Sequence, residues 1–529
     1  MIDRMSRVMI VEDDERIRLS MRLALEDEGY TVDDVADGED AVVHFAEQPA
    51  DLVLIGDTIA AMTLPGAATL ESAQRIDATN RLIMPGLINA HTHSHGGLAK
   101  GAGDLWSLEL LLNAGPWLNG GRSDDDRYLS TVLTAVEMLR KGCTACYDLA
   151  AILPVPTLEG LAVIAQAYAD VGIRAVIAPM IADRSFYQAI PGLLDAFPPD
   201  QRNLAEALRT EPGDTTLAAV RAAAQGWAHP NDRIRLGIAP TIPLHCSDDF
   251  LRGCADLARD FGLPMQSHLA ESPVQRVGGL RRYGTTLTRH LDSVGVLGPG
   301  FSAAHAIWLD SEEIELLGDR GCAIAHNPGS NLRLGNGIAD IRPALARGVT
   351  VGVGTDGSSS ADNQNMFEAM RLAAFVSRVF DRPPEAWMSA SEALRLATEG
   401  SAAVLGMDRI GRIAPGFKAD LVFLDLDHVN LVPLNNPVNQ LVNTEDGHAV
   451  RDVMVGGRFV LRDGLLPGLD WPRIVQRSRD AASRLATANA GARAVSESLA
   501  PVVSHFCVGL GRCAHDLPRR LRVDDVPKN

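Results

Sequence analysis

The chain has 529 residues, 46% of them hydrophobic and 22% charged, with a formal net charge of −18. These globular proportions exclude a largely disordered chain, and the acidic balance excludes nucleic acid or an anionic membrane as partner, because both are held by clustered Lys and Arg. Seven scattered cysteines are not a secreted disulfide framework, no cleavable leader opens the chain and no run approaches eighteen consecutive apolar residues, so a cytoplasmic location is expected.

In chain order, residues 8–14 form a strand pattern ending in acid, 15–29 an amphipathic helix, 30–35 a strand, 39–47 a helix and 50–55 a strand. This run resembles the first half of a response-regulator receiver domain. The resemblance makes Asp13 and Asp14 counterparts of that family's metal-binding carboxylates. The place of its phosphorylated aspartate, however, is Gly56, and Asp57 comes one residue late, a slip that turns a strand side chain to the other face. The later receiver strands are absent, so phosphotransfer is not expected. We read residues 1–56 as a receiver-like βαβαβ fragment fused near 50–55 to an unrelated chain.

From residue 81 to about 401, short apolar runs alternate with longer Ala- and Leu-rich amphipathic stretches, which is the pattern of repeated βα units on a parallel sheet. The predicted strands are 82–90, 143–147, 174–180, 234–240, 264–267, 301–304, 322–325 and 350–354. Eight such units predict a (β/α)₈ barrel over 85–404, whose strand C-termini open on one face. Residues with chemical potential cluster at those ends: His91, His93, Asp148, Asp183, Arg184, Thr241, His268, His305, His326 and Asp356. Residues 57–84 and 405–465 are predicted to make a small composite β unit of sandwich type, and 466–529 a helical tail. The pair Cys143 and Cys146 has no second pair to complete a zinc knuckle and reads as strand core.

Histidines 91 and 93 stand at i and i+2, so on an extended strand both rings point the same way and can reach one ion. Imidazole nitrogens with one carboxylate suit Zn²⁺. The runs 84–93 (MPGLINAHTH), 267–271 (SHLAE), 326–331 (HNPGSN) and 354–357 (GTDG), in this order, resemble the amidohydrolase superfamily. Its aminohydrolase branch, with guanine, cytosine and S-adenosylhomocysteine deaminases and triazine hydrolases, is most similar.

The resemblance implies one divalent metal, Zn²⁺ first and Fe²⁺ second, held by His91, His93, His268 and Asp356. It implies Glu271 and His305 as the proton-handling pair, with Asp356 also accepting a hydrogen bond from the attacking water. It further implies a homo-oligomer and a small heterocyclic substrate. The reaction expected is hydrolytic deamination of a purine, pterin, pyrimidine or triazine by a metal-bound hydroxide, with Glu271 carrying protons from the water to the ring nitrogen and the leaving amine. The same site would serve displacement of chloride or alkylamine from a triazine, or opening of a cyclic amide. A signalling protein regulated through the receiver-like segment is the alternative from another class.

Substrate contacts are expected from Trp106, Glu109, Arg184, Thr241 and His326. A Leu-rich helix face explains Trp106 and Glu109 equally well, and an exposed loop explains Arg184. The family often has a histidine where this chain has Thr241, so substrate identity does not transfer with the metal motifs. His95 fits a structural or substrate-loop role, while His326, Asn327 and Asn331 shape the loop after the seventh strand. The cysteine pair of cytidine-type zinc deaminases and the HExxH of metalloproteases are not found.

Overall fold

The computed structural model describes residues 7–11, 31–35, 51–63 and 75–515. Strands β1 (Arg7–Val11) and β2 (Thr31–Val35) pair in parallel. Asp13, Asp14 and the helices expected at 15–29 and 39–47 lie outside the described residues. The strand expected to complete a receiver pattern does something else: β3 (Asp51–Ile55) forms an antiparallel hairpin with β4 (Thr58–Thr63). Gly56 turns this hairpin at φ +64°, a region glycine enters without a Cβ clash. Asp57, beside it, pairs with the Lys418 ammonium and accepts a hydrogen bond from Thr58 Oγ1 at 2.8 Å. The hairpin is thereby tied to the chain beyond the barrel, as the Ile59 N–H to Phe417 carbonyl bond (2.8 Å) also shows.

The run expected as one strand over 82–90 is two. Strand β5 (Arg81–Pro85) belongs to a second sheet, and β6 (Leu87–Thr92) opens the barrel. Gly86 makes the break: its N–H donates to the Asp420 carbonyl at 2.9 Å, and a Cβ there would lie 2.0 Å from Thr144 Oγ1. Both halves are apolar because both are buried, so hydropathy alone cannot show that the chain changes sheets.

From β6 the parallel sheet continues through β7 (Cys143–Ala150), β8 (Arg174–Ile181) and a fourth position split into β9 (Ile234–Leu236) and β10 (Ala239–Pro240). It resumes with β11 (Met265–Leu269), β12 (Phe301–His305), β13 (Ala323–His326) and β14 (Thr350–Val353). A parallel bridge between Ile238 and Met265 joins the two arcs. The Asp356 N–H, donating to the His91 carbonyl at 2.9 Å, closes β14 onto β6. This is the expected TIM-like barrel. Its strands are buried on both faces, which is why they read as continuous apolar runs rather than alternating ones. One end of the interior is filled by Ile88, Tyr147, Leu149 and Val176 against Leu405, Met407 and Ile410. Cys143 and Cys146 are buried free thiols in β7, as expected of strand core.

After the barrel, β15 (Leu421–Asp425), β16 (Val450–Val455) and β17 (Arg458–Leu461) complete an antiparallel sheet with β5. Arg174 at the start of β8 forms a bidentate pair with Asp420 at 2.7 and 2.9 Å, both side chains about 1% exposed, and so rivets barrel to sheet. Two helices end the described chain, Trp471–Ala488 and Ala490–His515. The stretch Ala490–Cys513 is long and apolar enough to cross a membrane by composition, yet its Leu499, Val503, Cys507 and Leu510 are buried against the molecule. It packs on helices Leu108–Asn119 and Pro273–Tyr283, and Asn113 and Ser496 exchange hydrogen bonds of 2.8 to 3.0 Å across that contact.

Candidate active site

At the C-terminal ends of the barrel strands, His91, His93, His268, His305, Glu271 and Asp356 converge, all buried. The backbone bends sharply there: Ala270, His305, Ala306 and Asp356 have φ of +52°, +73°, +50° and +63°. Such values are costly for residues with a Cβ and are held where the surroundings fix them, commonly at sites of function.

Each of four imidazoles is anchored through Nδ1 to an oxygen. His93 Nδ1 meets the Leu149 carbonyl at 2.8 Å and His268 Nδ1 the Thr241 carbonyl at 2.6 Å. His91 Nδ1 meets Gln266 Oε1 at 2.6 Å, and His305 Nδ1 meets Asn331 Oδ1 at 2.8 Å. The Gln266 amide nitrogen is engaged by the Ala90 carbonyl and Ser302 Oγ, so its oxygen is the atom left for His91. Oxygen acceptors of this kind place the proton on Nδ1 and leave the Nε2 lone pair bare.

Those lone pairs point at one another. His93 and His268 bring their Nε2 atoms to 3.2 Å, and Asp356 Oδ1 lies 3.2 Å from His93 Nε2 and 3.6 Å from His91 Nε2. Buried His91 Nε2 and His305 Nε2 have no hydrogen-bond partner among the described residues. Converging lone pairs and a carboxylate in a dry site repel unless a cation lies among them. The ligand atoms of His91, His93 and Asp356, and likewise of His91, His268 and His305, lie within 4.8 Å of one another, and the nitrogen-rich set with one carboxylate fits a zinc-type ion.

The electrostatics carry the same demand for positive charge. Burial would raise the Asp356 carboxyl, but the His91 and His93 rings beside it hold it well below the usual range. Burial opposes charge on His93 too, yet the adjacent Asp356 carboxylate pushes its pKa upward. Burial, then the neighbouring His91 and His93, drives His268 well below the ordinary value. His305 falls to about 3, chiefly through burial, and is neutral at physiological pH. Glu271 is driven the other way, well above the usual carboxyl range, by burial first and then by Asp356 and Glu109.

Other residues singled out from the sequence are placed as follows. Glu109 is buried, accepts a hydrogen bond from Ser272 Oγ at 2.9 Å and is raised in pKa by burial, one side chain away from Glu271. Thr241 offers its backbone carbonyl as the anchor of His268. Arg184 is bound to the Cys246 carbonyl at 3.0 Å and the Tyr283 hydroxyl at 3.4 Å, tying these segments together. Trp106 is half-buried against Trp117, ring centroids 6.3 Å apart. His326 is buried with neither ring nitrogen hydrogen-bonded, and burial lowers its pKa to about 4. His95 accepts the Ala151 N–H at Nδ1 (3.2 Å), beside His93.

Sequence reasoning missed Gln266, Gln275, Asn336 and His245. Gln266 sits two residues before His268 on β11, so strand alternation could have flagged it. Gln275 Nε2, four residues on in the first turn of the next helix, and Asn336 Nδ2, 65 residues away, donate to Glu271 at 3.4 and 3.0 Å; only the second separation is beyond a local pattern. His245 lies in a short 3₁₀ turn after the fourth strand position, beside a small pocket it lines with Glu109, Ser272, Leu108 and Ile242. Burial lowers its pKa to about 3.

Residues 82–460 match the model of the Amidohydrolase family. A 5'-deoxyadenosine deaminase of Methanopyrus kandleri is 34% identical over 407 residues, 76% of this chain and 86% of that protein. A 5-methylthioadenosine/S-adenosylhomocysteine deaminase of Nitratidesulfovibrio vulgaris is 34% identical over 414 residues, 77% of this chain and 85% of that one. Among solved structures, a zinc-bound adenosine deaminase from Xanthomonas campestris superposes with TM-score 0.73 at 26% identity, covering 84% of this chain and 96% of its own. The atrazine chlorohydrolase TrzN from Arthrobacter aurescens TC1, complexed with zinc, gives TM-score 0.72 at 29% identity, covering 82% of this chain and 95% of its own. A match over most of the chain, in the order of the motifs that build the site, makes this protein a member of the amidohydrolase family.

Proposed function

We propose that this chain is a metal-dependent aminohydrolase that removes the exocyclic amino group of an adenosine-type nucleoside. The enzyme is a hydrolase of C–N bonds outside peptides, and deamination of aminated heterocycles is the activity its relatives' names carry. The observation that carries the reading is the inward set of bare Nε2 atoms around Asp356, with the protonatable carboxyl of Glu271 beside it.

His91, His93, His268 and Asp356 would hold the ion, and when bound it supplies the Lewis acidity that brings a water pKa towards about 7. Glu271 is suited to take a proton from the attacking water, because burial raises its affinity for a proton and Asn336 and Gln275 hold its carboxyl beside His305. It then delivers the proton to the ring nitrogen and on to the departing amine, which leaves as ammonia. His305, neutral and protonated at Nδ1, offers Nε2 as an acceptor only and so orients the attacking water rather than donating to a developing oxyanion. Burial of the whole set excludes bulk water and strengthens each of these interactions. Glu109 and His245, which line one small pocket, are the side chains we place nearest the bound heterocycle.

The test is a substrate panel on zinc-loaded protein: 5'-deoxyadenosine, 5'-methylthioadenosine, S-adenosylhomocysteine, guanine, cytosine and a chlorotriazine. Ammonia release is expected from the adenosine derivatives. Chloride or alkylamine release from the triazine, with no ammonia from any nucleoside, would overturn the reading in favour of a triazine hydrolase.

A further inference from the structure

We propose that the segment following β13 is the positioning element for both halves of the proton-handling pair, with Asn331 fixing His305 and Asn336 fixing Glu271. This rests on the proposed roles of His305 and Glu271. The segment is short: helix Pro328–Arg333 and the turn after it carry both asparagines. Each is buried, 1% and 2% exposed.

Asn331 presents Oδ1 to His305 Nδ1 at 2.8 Å. That contact selects the tautomer with its proton on Nδ1, so Nε2 faces Glu271 Oε1 at 3.7 Å and Asp356 Oδ2 at 4.0 Å as a bare acceptor. Without it, the ring could rotate or carry its proton on Nε2, and the acceptor aimed at the attacking water would be lost.

Asn336 Nδ2 donates to Glu271 Oε1 at 3.0 Å, and Gln275 Nε2 donates to Oε2 at 3.4 Å. A carboxyl held at both oxygens presents a defined edge, whereas one held at neither would rotate about its terminal torsion, which is soft. One backbone contact makes the asparagines a unit, the Asn336 N–H donating to the Asn331 carbonyl at 2.9 Å, and a second ties that unit to Trp308, whose Nε1 donates to the Asn336 carbonyl at 2.8 Å. Trp308 lies three residues beyond His305, and its own carbonyl accepts from Arg276 on the helix that follows Glu271 (2.7 Å). The chain of contacts therefore runs from His305 through Asn331 and Asn336 to Glu271 and returns through Trp308 and Arg276. Neither asparagine touches the four proposed metal ligands in any hydrogen bond among the described residues. They act through the pair, which makes them positioning residues.

The experiment compares Asn336→Ala, Asn331→Leu and the acceptor-preserving Asn331→Asp with wild type. Its readouts are zinc per chain, melting temperature, kcat and KM for 5'-deoxyadenosine, and crystal structures of the zinc-loaded proteins. Asn336→Ala and Asn331→Leu should keep zinc and fold, lose about 10- to 100-fold in kcat with KM within about twofold, and show Glu271 or His305 turned from its wild-type orientation. Asn331→Asp should recover most of the kcat lost in Asn331→Leu. Unchanged orientations of Glu271 and His305 in the two variants would overturn the inference. So would kcat values equal to wild type, or zinc lost together with activity. If wild-type protein deaminates nothing in the panel, the proposed function fails by itself, and the crystallographic orientations still decide this inference.

Discussion

Nε2 of His93 and Nε2 of His268 stand 3.2 Å apart, although each ring has already committed its proton through Nδ1 to a backbone carbonyl. Two lone pairs at that separation are stable only around a shared cation. Because such an ion binds the folded chain and not the unfolded one, its removal lowers stability, by about 4 kcal/mol when free ion had been a thousandfold above Kd. Melting temperature should fall on treatment with a chelator and return on addition of Zn²⁺, as followed by calorimetry. An unchanged melting temperature would mean that the imidazoles hold no metal.

Glu271→Gln removes the proton carrier and leaves the proposed ligands intact. Zinc content should stay at the wild-type level while kcat falls by about 10² to 10⁴, the usual worth of a positioned acid–base group. Ammonia release in the steady state measures it, and near wild-type turnover would remove Glu271 from the mechanism.

The Arg174 and Asp420 pair joins the barrel to the antiparallel sheet with both groups out of water. In Arg174→Met the Asp420 carboxylate loses its partner while the Gly456 N–H bond at 2.7 Å holds it in place. Stranding a buried charge in this way costs about 3 to 5 kcal/mol. Denaturant unfolding should register that loss, and a change below about 1 kcal/mol would show that the site relaxes to admit water.

Asp57 has its carboxyl lowered from 3.8 to about 2, first by the Lys418 hydrogen bond and then by Thr58. A carboxyl depressed in the folded state stabilises the fold fully above its unfolded value and loses that contribution as pH falls through its folded value. The stability difference between wild type and Asp57→Asn should therefore be present at about pH 6 and close between about pH 4 and pH 2. The Asp57 side chain is 40% exposed, so water screens the pair and the difference stays below about 1 kcal/mol. A gap that does not vary with pH would assign the effect to packing rather than charge.

How much of this was legible in the sequence depends on whether the signal was local. His91 and His93 announce themselves by alternation on one strand, and the apolar runs 143–147, 174–180 and 301–304 lie within barrel strands because burial on both faces leaves a hydropathy signature. The break at Gly86 was invisible, since both sides of it are buried, in different sheets. The strand 50–55 fitted two patterns equally, and only its antiparallel pairing with β4 separates them. The Thr241 carbonyl anchors His268 and the Arg184 guanidinium bridges two segments, contacts that no local pattern in the sequence encodes. Asn336 carried no signal, because its value lies in a contact with Glu271, 65 residues away, that exists only after folding, whereas Gln275 stands four residues from Glu271 and was within reach of a local reading.

Anomalous X-ray scattering at the zinc edge, from crystals of wild-type and Asp356→Ala protein grown with Zn²⁺, tests the central claim most directly. Wild type should show one peak about 2.0 to 2.1 Å from the Nε2 atoms of His91, His93 and His268 and close to Asp356, and the variant should show that peak weakened or lost. A wild-type peak elsewhere, or none at these four residues, would contradict the account.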